Sequence, residues 1–248
     1  MVIWLLLAIA GGACIVDEPS GNPLGAQQQF QPSNPEANLA PLPDEIWLEM
    51  VRSTSQGLQD SLHVSGSSVS LRQIEALPFN PSLKELLLDG GAVDDKGLAA
   101  IVKACPRLER LRLRLSPVTE HGAGQLAKLT HLKILNLPQS RFSDQAISLL
   151  EPLKSLEQLR LGSSQLTDQA VEAIVNLPNL RSLHLIGPKL TDQALVQLAT
   201  APRLSSFYLD DCPLSEEAFK QLQRSKPRLH IHLDQDHADR MKRSSETE

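Results

Sequence analysis

Apolar residues recur along this chain in the spacing Leu-x-x-Leu-x-Leu, and the whole unit recurs as well. Its first leucines are Leu83, Leu108, Leu132, Leu156, Leu180 and Leu204, a period of about 24 residues. Each unit continues with an alternating pair: Leu86 and Leu88, Leu111 and Leu113, Leu135 and Leu137, Leu159 and Leu161, Leu183 and Leu185, Phe207 and Leu209. Alternation of this kind predicts a short strand with one face buried. Farther along stand Asp94, Thr119, Ser143, Thr167, Thr191 and Ser215, residues whose side-chain oxygens cap helix N-termini. An apolar residue precedes each cap and another follows one turn later, as in Val93 with Leu98 and Leu166 with Val171. That pairing is the hydrophobic staple that sets a helix's entry angle. The pattern therefore predicts strand, loop, helix, loop in every unit.

Small residues follow the caps at Gly97, Gly122, Ala146, Ala170, Ala194 and Ala218, and prolines at 106, 178, 202 and 227 precede the next strand. The first predict close helix packing, the second a stop for the helix. A degenerate unit over 59–82 keeps the register through Leu62, Val64, Val69, Ile74 and Leu77; Leu229, Ile231 and Leu233 make a final strand. One unit alone cannot bury its apolar stripe, but stacked units share a continuous core. Strands stack at about 4.8 Å and helices need roughly 10 Å, so the stack should bend with its strands on the inside.

The units resemble the leucine-rich-repeat family, in the subtype whose helices open as Leu166-Thr167-Asp168-Gln169-Ala170-Val171 and Leu190-Thr191-Asp192-Gln193-Ala194-Leu195. The resemblance covers residues 59–233. It implies an α/β leucine-rich-repeat solenoid, a right-handed horseshoe segment with parallel strands concave and helices convex. It also implies a non-enzymatic protein-protein interaction module, with no cofactor. The subtype is similar to bacterial envelope proteins, notably of planctomycetes, and to the repeats of eukaryotic F-box adaptors. The Asn common in the turn of such repeats is missing: Ala92, Pro117, Arg141, Gln165, Lys189 and Pro213 lie near that position. No amide ladder is expected there.

The ends have other compositions. Residues 1–16 hold an apolar run too short for a membrane-spanning helix and suited to a signal core. Its Gly11-Gly12-Ala13-Cys14 resembles the lipobox of bacterial lipoproteins, which implies lipidation at Cys14 and a membrane anchor. An ordinary cleaved signal and an uncleaved anchor remain alternatives. Residues 17–43, rich in Pro, Gln and Asn, read as a disordered spacer. Residues 44–58 read as an amphipathic capping helix with Trp47 over the first open edge. Leu42-Pro43-Asp44-Glu45-Ile46-Trp47 also resembles the opening of an F-box, which implies the alternative of an intracellular ubiquitin-ligase substrate adaptor. Residues 234–248 read as a charged disordered tail.

Composition narrows the partners. A net charge of −5 and few aromatics argue against nucleic acid and against an anionic membrane surface; the resemblance to leucine-rich repeats implies a protein partner. Cys105 and Cys212 fall in different units, too far apart to bridge, and are expected as buried thiols. Residues between the strand leucines should share the concave face. There Arg110, Arg112 and Arg114 project from one strand, Arg160 from two strands along, and Glu85 from the neighbouring strand. Asn136, His184, Tyr208 and His232 complete the central row. Clustered guanidinium groups suit carboxylates or phosphates; the competing reading is that Glu85 and Asp89 neutralise them in a solvated charge ladder. His230, His232, Asp234 and His237 are the one metal-like group, with a polar cap over the last strand as the plainer reading. No catalytic residues emerge, because the recurring Ser, Thr and Asp serve as helix caps.

Overall fold

The structure, a computed structural model, describes residues 39–91 and 93–234. The signal segment with Cys14, the spacer up to residue 38, Ala92 and the tail with His237 lie outside the described residues.

The described chain opens with β1 (Ala40–Pro41) and α1 (Asp44–Ser55), followed by β2 (Ser61–Val64), β3 (Ser67–Ser68) and α2 (Leu71–Glu75). Strand and helix then alternate: β4 (Glu85–Leu88), α3 (Asp95–Ala104), β5 (Arg110–Leu113), α4 (Glu120–Leu126), β6 (Ile134–Leu137), α5 (Asp144–Ser148). The series continues through β7 (Gln158–Gly162), α6 (Asp168–Ile174), β8 (Ser182–Ile186), α7 (Asp192–Leu198), β9 (Ser206–Asp210), α8 (Glu216–Ser225) and β10 (His230–Leu233). Eight of the strands form one parallel sheet in the order β2, β4, β5, β6, β7, β8, β9, β10. Its register joins equivalent repeat positions, such as Leu86 with Leu111 and Leu135 with Leu159. The expected α/β solenoid is the observed fold.

Repeat leucines form the core. Leu86, Leu111, Leu135 and Leu183 are fully buried, as are the staple residues Val118, Phe142 and Leu166. The six predicted caps all stand at helix N-termini. Ser70 caps α2 as well, in a reciprocal capping box with Gln73. The small residues do what their spacing implied: a Cβ on Gly122 would collide with Val118 of its own unit and with Asp95 and Leu98 of the unit before.

A second use of the cap motif emerges only in three dimensions. The acidic residues after the caps of α3 to α7 accept hydrogen bonds from the cap of the next unit. Asp95 takes Thr119 N–H at 2.8 Å and its hydroxyl at 2.6 Å, and Asp144 takes the same pair from Thr167. Asp168 does so for Thr191 and Asp192 for Ser215. Thr167 and Thr191 therefore cap their own helices and latch to the preceding unit. Buried serines work where an amide ladder is absent: Ser116 donates to the Gly91 carbonyl, Ser140 to that of Gly162 and Ser163 to that of Phe142.

Trp47 is 3% exposed, and α1 packs against β2. Residues 40–42, read on the sequence as part of the spacer, take part in the fold. Ala40–Pro41 pairs in parallel with Ser67–Ser68, and Leu42 N–H donates to the Ser68 carbonyl. Proline tolerates this place because β1 is an edge strand.

The strand face as a candidate interface

Along β5, β6 and β9 buried and partly exposed residues alternate. The leucines point towards the helices, so the residues between them occupy the other side of the sheet. Register places His63, Leu87, Arg112, Asn136, Arg160, His184, Tyr208 and His232 in one row. All nine residues singled out on the sequence, Glu85, Arg110, Arg112, Arg114, Asn136, Arg160, His184, Tyr208 and His232, lie in this row or the rows beside it.

The arginine half is braced by carboxylates. Arg110 lies 3.3 Å from the Glu85 carboxylate and Arg112 lies 2.7 Å from that of Asp89. His63 Nε2 shares Glu85 at 3.2 Å. Pairing holds the guanidinium groups in defined poses rather than removing them from the surface, since the Arg110 and Arg112 side chains stay 41% and 34% exposed. Within the row, the Arg112 Nε–H donor and the Asn136 Oδ1 acceptor are buried and without a hydrogen-bond partner. Each such group costs about 1–3 kcal/mol relative to a satisfied one. Packing gains nothing from them.

The other half is aromatic. Tyr208 stacks on His232 with centroids 4.5 Å apart and planes 8° from parallel, and meets His184 at a 34° tilt with centroids 5.4 Å apart. His184 is buried, and its Nε2 lies 2.6 Å from Asp210. The carboxylate only accepts, so this nitrogen carries the proton. Burial holds the His184 pKa below the ordinary imidazole value; the Asp210 hydrogen bond opposes it, and the charge of Arg160 adds to it. Burial prevails because little water reaches the ring. Asp210 was visible in the sequence as a residue beside the row, but its role as partner to His184 was not.

A further charged row escaped sequence reasoning, although its period was legible. Directly before successive strands stand Asp60, Lys84, Glu109, Lys133, Glu157 and Arg181, alternating in sign from unit to unit. Lys84 pairs with Asp60 at 3.5 Å, Lys133 with Glu109 at 2.7 Å and Arg181 with Glu157 at 3.9 Å. The Lys133 hydrogen bond holds the Glu109 carboxyl below its usual range. An open hollow of about 610 Å³ borders this row, lined in part by Asp60, Lys84, Arg107, Glu109 and His131.

Burial pushes the Cys105 thiol up to about 12, so it is an inert core group. Cys212 is only half-buried, also with a raised pKa, first through burial. Among the described residues no group of three His, Cys, Asp or Glu side chains is placed to hold a metal ion; the expected contributor His237 lies outside them.

Residues 79–102 match a family model described as a leucine-rich repeat. No curated protein matches the chain by sequence. Among solved structures, a leucine-rich-repeat protein of Leptospira interrogans superposes with a TM-score of 0.51 at 20% identity, covering 78% of this chain and 52% of that one. The chain thus spans about half the length of that protein, and the likeness concerns the fold. With one repeat matched directly, the others repeating its pattern, and the stacked parallel sheet they build, this chain has the leucine-rich-repeat fold.

Proposed function

We propose that this protein is a non-enzymatic, membrane-tethered envelope module that binds a protein partner on its strand face. Leucine-rich-repeat domains generally serve as protein-interaction modules, and such repeats are typically non-enzymatic. One observation carries the assignment to this face. Its central row sets charged and aromatic side chains where the fold needs none, and it keeps Arg112 Nε and Asn136 Oδ1 buried without partners. Local arrangements that cost stability concentrate where binding requires them. Arg110, Arg112, Arg114 and Arg160 form the charged half of the site; His184, Tyr208 and His232 form the aromatic half. Glu85 orients Arg110, and Asn136 sits between the halves.

The test compares partner capture by the intact chain and by an Arg110→Ala, Arg112→Ala, Arg114→Ala variant that melts at a similar temperature. Capture should fall at least about ten-fold, the usual consequence of losing interfacial arginine anchors. Equal capture would remove the arginine half from the interface.

The tether rests on the apolar run of residues 1–16 and on Cys14 within its lipobox-like setting. Intact mass of protein taken from native membranes should show cleavage before Cys14 and an added acyl mass. A full-length, unmodified N-terminus would exclude the lipoprotein. The intracellular adaptor gains little support: α1 is the single helix between residues 39 and 61, where an F-box packs about three.

A further inference from the structure

Four of the chain's seven histidines, His63, His184, His230 and His232, lie on the strand face. Arg110, Arg112, Arg114 and Arg160 are matched in number there by Glu85, Asp89, Asp210 and Asp234, so with neutral imidazoles the face is balanced. The chain as a whole carries −5. An acidic partner meets no attraction in that state. Imidazoles are the groups that gain charge between neutral and mildly acidic pH, and this protein concentrates them on the surface already supplied with arginines.

Each histidine has defined neighbours. His63 faces Glu85 on β4, which Arg110 of β5 shares. His184 faces Arg160 on β7, with Tyr208 and Asp210 on β9. His232 lies against Tyr208, and His230 is paired in register with Ser206. Asp234, at the end of β10, turns its carboxylate to the Asp211 N–H at 3.0 Å. His63, His230 and His232 are exposed, whereas His184 is buried.

We propose that the strand face is an acid-responsive docking surface, balanced in charge at neutral pH and net positive on mild acidification, when it holds an acidic polypeptide segment of its partner more tightly. This rests on the strand-face reading above. Carboxylates are the complement of fixed guanidinium forks, and aspartate side chains stay ionised while imidazoles charge.

The experiment measures binding of a fluorescent octa-aspartate peptide to the full chain at low salt, at about pH 7.5 and about pH 5.5. Binding should tighten about ten-fold on acidification, as expected when several charges are added to one site. A His63→Gln, His230→Gln, His232→Gln variant should lose that gain, while a His121→Gln, His131→Gln variant, changed off the face, should keep it. Tyr208 is the chain's one tyrosine, so its ring resonances report independently whether protons arrive on the face of each folded variant. Tightening that survives in the face variant, or disappears in the off-face control, overturns the proposal. So does the lack of saturable peptide binding at both pH values, or stronger acid-dependent binding to phosphatidylglycerol vesicles or duplex DNA. If Arg112→Glu with Arg160→Glu leaves peptide binding unchanged, the strand-face reading itself fails. If that pair abolishes binding while the histidine variant keeps its pH dependence, only the acid response fails.

Discussion

His184 shows how a single residue joins fold and surface. Its ring is buried in the sheet, yet its polar atom answers to Asp210 on the next strand. Because burial lowers its folded pKa, the unfolded chain takes up this proton first as the pH falls. The associated stability is complete above about pH 6.5, the ordinary imidazole value, and is lost as pH drops through the lower folded value. Thermal melts between about pH 8 and pH 5 should therefore show the melting temperature falling on the acid side. His184→Gln should flatten part of that slope; a slope unchanged in the variant would assign it to other groups. The same burial argument makes Cys105 inert.

Elements are joined through equivalent positions. The cap of one helix is the latch of the next: Thr167 starts α6 while its hydroxyl and N–H reach back to Asp144 at the start of α5. Close approach has its own residue requirement. Gly162 ends β7 against the backbone of the preceding unit, where a Cβ would overlap the Pro138 carbonyl oxygen. Backbone cannot yield as a flexible side chain does, so Gly162→Ala should destabilise by about 1–3 kcal/mol, the usual cost of overpacking. Denaturant unfolding of the variant measures this; an unchanged midpoint would mean the turn is free to shift. Gly124, where a Cβ meets nothing within 4 Å, is the matched control.

The whole molecule behaves as a stack in which each unit covers its neighbour. The end units depend on whatever covers their open side, and α1 covers β2 through Trp47 and Val51. Trp47→Ala should remove about 3–5 kcal/mol of local packing. In a nearest-neighbour stack that loss stays near its source. Amide exchange should accelerate in β2 and β4 and remain slow in β7 and β8. Equal acceleration throughout would show one cooperative unit instead.

Much of this architecture is legible in one dimension, because a repeat protein writes the same physical requirement at every period. Leu111, Leu135 and Leu159 declare their burial by alternation, Thr167 and Thr191 declare helix starts by their place before an apolar period, and Arg112, Asn136 and Arg160 follow as row neighbours once units stack in register. The alternating row of Asp60, Lys84 and Glu109 was equally readable, but it required comparing units rather than reading along one. Other contacts were decided only by folding. Ala40–Pro41 finds Ser67–Ser68 from the edge of a proline-rich stretch, and Asp144 serves the next unit rather than its own. Asp210 closes on His184, and Asn136 Oδ1 ends without a partner. Local spacing specifies which face of an element is apolar, since that depends on backbone period alone. Which polar atom meets which depends on the distance between neighbouring units, and that distance is set by the packing of side chains far apart in the chain.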